Sequence, residues 1–162
     1  MKNYKEAHVV IAIARQLTAR GLAFRIITPY DPQRSFLENE LKKQNLPYED
    51  KCFNVDSFQG TSPCCSPSLS QLIVDSIGNE ADYIIVSLVR SANKLGFLQE
   101  NRRVNVMLTR CKKGMVIVTN RVFVRGVAKD SLVGKLERHM EDQGASPWLE
   151  GRHVLYGGGY VF

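Results

Sequence analysis

The chain has 162 residues, 44% of them hydrophobic and 23% charged, with 22 Lys and Arg against 16 Asp and Glu, a net charge of +6 and a pI near 9.3. These are the proportions of one globular domain, and no apolar run reaches the roughly 18 to 20 residues that a membrane-spanning helix needs. The basic surplus suits a polyanionic partner without naming it, and the amino terminus, Met1 to Glu6, carries no apolar leader, so an intracellular address, nucleus or cytoplasm, is expected.

In chain order, Ala7, Val10, Ile11, Ala14 and Leu17 recur at helical spacing and predict a first helix ending near Gly21, a residue able to take the left-handed cap conformation. Phe24-Arg25-Ile26-Ile27-Thr28 follows as a short buried strand. Pro29-Tyr30-Asp31-Pro32 is turn chemistry: it predicts Asp31 as a cap and Pro32 as the first residue of a second helix, marked by Phe36, Leu37 and Leu41 and ended by Pro47. Cys52-Phe53-Asn54-Val55 is the next strand. The Ser/Pro-rich stretch 61–78 then breaks the rhythm and reads as an insertion, of the kind a retained intron or splice variant leaves.

Ala81 to Val89, apolar nearly throughout, has the composition of a strand covered on both faces and is expected at the centre of a parallel sheet. A helix over 99–111, aligning Val104, Met107, Leu108 and Cys111, leads to a strand Met115 to Thr119 behind Gly114. One more helix, near Ser131 to Met140, precedes Trp148 and the glycines at 157–159, an end expected to be loosely ordered. Strands alternating with helices predict an α/β fold, a parallel sheet with right-handed crossovers.

Nothing in the chain holds a triphosphate or a metal by itself. The string G-x-x-x-x-G-K-[ST], whose backbone cradles phosphates, is absent; Gly134-Lys135 is followed by Leu136 and has Lys129 where the first glycine belongs. Cys52, Cys64, Cys65 and Cys111 form no C-x-x-C pair, and His8, His139 and His153 stand apart, so no metal site is expected.

Four strings occur in order: Ile27-Thr28-Pro29-Tyr30-Asp31-Pro32-Gln33-Arg34, Val55-Asp56-Ser57-Phe58-Gln59-Gly60, Glu80-Ala81-Asp82-Tyr83-Ile84-Ile85, and Arg102 through Arg110. Together they resemble the second RecA-like domain of superfamily 1 helicases, of the nonsense-decay, senataxin and zinc-finger NFX type. The likeness implies a RecA-like fold over residues 1–146, with 61–78 inserted and 147–162 as a tail. In that family ATP with Mg2+ sits between two RecA-like domains. The first gives the P-loop and the metal-binding acids, and the second senses the γ-phosphate. Only the second is matched here, so the resemblance implies half of an ATP-dependent helicase, with a first RecA-like domain outside this chain and single-stranded RNA or DNA as partner.

The resemblance assigns residues. Arg110 matches the arginine finger, a planar and permanently charged fork suited to charge on a transferred phosphoryl group; read from its surroundings alone, it equally serves as a cation at the negative end of its own helix. Glu80 matches the acid of the family's Q-G-x-E string as a nucleotide contact, although the insertion separates it from Gly60. Gln33, Arg34 and Arg103 are further candidates for the nucleotide edge, with Arg34 also spaced to pair with Glu38 four residues on. Thr28, Pro29, Tyr30, Asp56, Ser57, Gln59 and Gly60 match the loops of the strand groove, where hydroxyls and amides take phosphates and Tyr30 offers a stacking face. A reading of another class stays open: a non-catalytic RecA-like module, from a truncated paralogue, that binds single strands or docks a partner.

Overall fold

Four apolar runs build one parallel sheet in a computed structural model that describes residues 2–58, 81–89 and 94–156, the side chains of Ser57, Phe58 and Tyr156 excepted. Strands β1 (Phe24–Thr28), β2 (Cys52–Asn54), β3 (Ala81–Ser87) and β4 (Cys111–Val118) lie in the order β2-β1-β3-β4, every neighbour parallel. Parallel neighbours need crossovers, and the helices that make them cover both faces. Side chains alternate accordingly. Ile26 and Ile85 pack with α1 (Tyr4–Ala19) and α2 (Asp31–Lys43), while Ile27, Ile84 and Val86 pack with α3 (Asn101–Leu108), α4 (Arg121–Arg125) and α5 (Leu132–Asp142). All five of these strand residues are fully buried, so the sheet is the shared wall of two cores, as the expected α/β, RecA-like class requires.

The first two helices end as their residues dictate. Gly21 takes φ +65°, and the Leu22 N–H reaches back to the Leu17 carbonyl at 3.0 Å; Asn45, at φ +53°, plays the same part after α2, with Leu46 N–H on the Leu41 carbonyl at 3.0 Å. Of their starts, that of α2 differs from expectation. Asn3 caps α1, its Oδ1 accepting from the Glu6 N–H at 3.2 Å. Asp31 is no cap: it is already the first residue of α2, and its carboxylate instead accepts from Asn54 Nδ2 at 3.0 Å, a tertiary bond that local spacing does not reveal.

Further along, the helix expected over 99–111 is shorter. A 3-10 turn at Gly96–Gln99 precedes α3, which stops at Leu108, where the Thr109 hydroxyl donates back to the Asn105 carbonyl at 3.0 Å. Strand β4 begins at Cys111, not Met115, and Cys111 belongs to it. Its opening residues are exposed lysines, of which Lys113 pairs with Asp82 at 2.8 Å, so apolar content does not mark the strand's start. The register moves from Ala81–Cys111 to Tyr83–Gly114, an extra residue taken up as a bulge.

Helix α4 was not foreseen, though Asn120 is a plain cap signal, accepting from the Val122 and Phe123 N–H groups at 2.8 and 3.3 Å. Beyond α5 the described residues, as far as Tyr156, are held rather than loose. Trp148 Nε1 donates to Glu137 at 2.8 Å, Arg125 meets the same carboxylate at 2.7 Å, and α6 (Gly151–Tyr156) buries Val154 against α1. Burial works against the Glu137 charge, but the bonds from Arg125 and Trp148 outweigh it and hold its carboxyl below the usual value. Residues 59–80, including the stretch read as an insertion, and 157–162 lie outside the described residues. Among the described residues no helix is long and apolar enough to cross a membrane.

Candidate nucleotide and nucleic-acid edges

A parallel sheet has two unlike ends, and the candidate residues divide between them. At the carboxyl ends of β1 and β2 stand Thr28, Pro29, Tyr30 and Asp56, with the backbone of Ser57 beside them. Arg110 stands at the opposite end, where it leads into β4 and its carbonyl accepts from the Ala81 N–H at 3.3 Å. The two sets are about 20 Å apart, the span of a seven-residue strand.

At the carboxyl end, Asn54 Oδ1 accepts from the Asp56 N–H at 3.3 Å, and the Asp56 carboxylate bonds the Arg103 guanidinium. Arg103 also meets Glu100 at 3.4 Å and lies over the Phe97 ring, 5.2 Å from its centroid. Residues expected on nucleotide and on nucleic acid thus bind each other. The Asp56 bond, helped by the charges of Asp56 and Glu100, raises the Arg103 pKa above its usual value.

Gln33 and Arg34 open α2 at this end and are engaged. Gln33 is fully buried: Nε2 donates to the Asn3 carbonyl at 3.2 Å and Ser87 Oγ at 3.4 Å, and Oε1 accepts from the Asn3 N–H at 2.9 Å. A side chain so enclosed is a tertiary latch, which corrects its reading as a nucleotide contact. Arg34 pairs with Glu38 at 2.9 Å and Asp31 at 3.6 Å, the alternative that its spacing allowed. Tyr30 is half-buried, its carbonyl taking the Gln33 and Arg34 N–H groups. Gln59, Gly60 and Glu80, and the side chain of Ser57, lie outside the described residues.

Thr28 is buried, its hydroxyl without a partner among the described residues, so it offers nothing to a strand lying on the surface. An unsatisfied buried hydroxyl costs about 1 kcal/mol or more. Thr28→Val is therefore expected to raise stability by about 1 kcal/mol in urea unfolding; a loss of that size would show that the hydroxyl is satisfied in solution.

Glu6 is the residue that sequence reading passed over. The spacing Asn3-x-x-Glu6 is a helix-start signal, but the carboxylate does not fold back on its cap as in a capping box. Its Oε2 accepts from the Val89 N–H at 2.8 Å and the Ser87 hydroxyl at 3.0 Å, across the end of β3. Burial pushes its carboxyl up to about 7 against the pull of those two bonds. Cys52 is likewise buried, and burial with the Glu38 charge pushes its thiol up to about 12, so it stays protonated and is no nucleophile at neutral pH.

At the amino end, Arg110 is half-buried; its Nε donates to the Val106 carbonyl at 3.2 Å, and its two terminal nitrogens have no partner among the described residues. Charges of both signs meet at this end. Arg25 sits in β1, Lys51 just before β2, and Lys112 and Lys113 at the start of β4, with Glu49, Asp50 and Asp82 as the acids among the described residues.

A family model described as AAA domain matches residues 1–65 and 71–122. The chain belongs to this family, a superfamily 1 helicase-type domain. The match covers every described element of the sheet and breaks at residues 66–70, within the Ser/Pro-rich stretch. Within the family, the chain is 35% identical to regulator of nonsense transcripts 1 of Dictyostelium discoideum, over 73% of this chain and 8% of that protein. It is 35% identical to regulator of nonsense transcripts 1 of Caenorhabditis elegans, over 87% and 12%, and 32% identical to the ATP-dependent helicase NAM7 of Saccharomyces cerevisiae, over 74% and 11%. The chain thus spans between 7% and 15% of the length of the curated relatives it matches.

Proposed function

We propose that this chain works as the second RecA-like half of an ATP-dependent nucleic-acid helicase. In this reading Arg110 meets the γ-phosphate of an ATP held by a first RecA-like domain. The loops at the sheet's carboxyl end, with Pro29, Tyr30, Asp56, Ser57, Gln59 and Gly60, form part of a single-strand groove. The observation that carries it is the Arg110 fork, held at its root by the Val106 carbonyl and, among the described residues, unpaired at its tip.

The chemistry follows from that geometry. Phosphoryl transfer spreads negative charge over equatorial oxygens, and a guanidinium tip donates two parallel bonds to such a group without any proton to lose. A root already bonded to the helix carries less rotational freedom into the cleft. The fit to ATP with Mg2+ is one-sided: the chain has no phosphate cradle, and its described residues contain no cluster of three ligands for a metal. The nucleotide and its ion would therefore be held by the first domain, with Glu80 and Arg110 facing them. Arg103, tied to Asp56 at the far end of the sheet, then acts on the groove rather than on the nucleotide.

Two RecA-like halves closing on ATP and opening after hydrolysis would shift their grip along a strand. The reading is tested with the purified chain and matched labelled RNA and DNA oligonucleotides. Binding is expected to weaken as salt rises, each phosphate contact adding about 0.7 to the log–log slope, and ATP turnover is expected to be negligible. Robust turnover by the chain alone, lost in Arg110→Ala, would overturn the half-motor reading, and absence of any salt-sensitive binding would remove the groove.

A further inference from the structure

Val89 carries φ +65°, although it is β-branched and buried, and a branched Cβ makes this region of backbone space costly. Such a conformation persists only where its surroundings impose it. Here both of its backbone polar groups are gripped from the first turn of α1. Glu6 Oε2 takes the Val89 N–H at 2.8 Å, and Asn3 Nδ2 donates to the Val89 carbonyl at 3.3 Å. Asn3 is itself fixed by two bonds to Gln33, and Gln33 reaches Ser87, whose hydroxyl returns to Glu6. The ring of contacts closes on itself through α1, α2 and β3.

We propose that Asn3 and Glu6 are positioning residues, a clamp that forces Val89 into its strained conformation and so sets the direction in which the chain leaves β3. The inference rests on the carboxyl end of the sheet being the nucleic-acid edge. That direction matters because the chain next described, from Lys94 through the 3-10 turn, seats Phe97 beneath Arg103, which holds Asp56. The other side of the clamp reaches Tyr30, whose carbonyl takes the Gln33 N–H at 3.0 Å. One ring of bonds therefore fixes Val89 and the start of α2 beside Tyr30 together, and none of its members needs to touch the strand.

The test separates clamp from cap. Asn3→Ser keeps a capping oxygen but is too short to reach the Val89 carbonyl, and Val89→Gly accepts positive φ without force. The intact native chain, both single variants and the double variant are compared in two measurements. The first is the hydrogen-exchange rate of the amide at position 89 by NMR, and the second is the Kd for a labelled single-stranded oligonucleotide. Asn3→Ser is expected to speed exchange at 89 by about tenfold while the Ile85 and Val86 amides keep their protection, and to weaken the oligonucleotide by about fivefold. Added to Val89→Gly, the same change is expected to cost under about twofold in Kd. Unchanged exchange at 89, or an equal loss of affinity in both backgrounds, overturns the clamp. If the native chain binds no oligonucleotide, the groove reading fails, and exchange at 89 still decides whether the clamp exists.

Discussion

Arg110→Ala, in a two-domain protein that joins this chain, as the proposed second half, to a first RecA-like domain, is expected to lower strand-stimulated ATP turnover by about 10³-fold or more, with oligonucleotide affinity changed by less than about twofold. The size follows from where the charge sits. A finger that meets only the developing transition-state charge lowers kcat, whereas contacts made equally in the ground state alter KM. The selectivity follows from the fold, since Arg110 lies at the amino end of the sheet and the proposed groove lies at the carboxyl end, a full strand length away. Loss of folding does not explain such an effect, because the only bond removed among the described residues is that from Nε to the Val106 carbonyl, worth about 1 kcal/mol. Arg110→Lys sharpens the test: lysine keeps the charge but not the fork, so it should recover only a small part of the rate. Turnover in Arg110→Ala above about one-tenth of the native rate would assign the residue to its helix end instead, where a cation is worth only about 0.3 to 1 kcal/mol.

What the sequence makes legible is burial and chain reversal. The run Ile84-Ile85-Val86 can only be a strand covered on both faces, and Gly21 ends α1 because its φ is open to few other residues. Polar residues carry less local information. Lys112 and Lys113 belong to β4 because the strand pairs there, not because they are apolar, and Asp31 leaves its expected cap to bond Asn54 from another element. The candidate site shows the same division. Arg110 was placed by its string and by its helix, but no spacing in the chain reveals that Asp56 and Arg103 neutralise each other, or that Gln33 and Thr28 are turned inward. Glu6 is the clearest case. Locally it is one more acid in the first turn of a helix, and its meaning comes from Ser87 and Val89, more than eighty residues away.

That buried carboxyl gives the second large expectation, a stability that falls as pH rises. Glu6 is 8% exposed, and both of its partners, the Ser87 hydroxyl and the Val89 N–H, are neutral. Burial therefore dominates and lifts its folded pKa from 4.5 to about 7. With the folded value above the unfolded one, the native state holds the proton more tightly. The stabilisation is complete below about pH 4.5 and is lost progressively as pH rises through 7. At 1.36 kcal/mol for each pKa unit, the full difference between those limits is about 3 kcal/mol, an upper bound for one group. Glu6→Gln is the decisive variant. Its amide oxygen still accepts from Ser87 and Val89, but it carries no charge to bury at any pH. Urea unfolding should find the variant and the native chain alike near pH 5, and the variant more stable at pH 8 by up to about 3 kcal/mol, or roughly 6 to 10 °C in Tm. Parallel stability curves across that interval would mean that water or a cation reaches the carboxylate in solution, and that its burial does not govern the pH response of the fold.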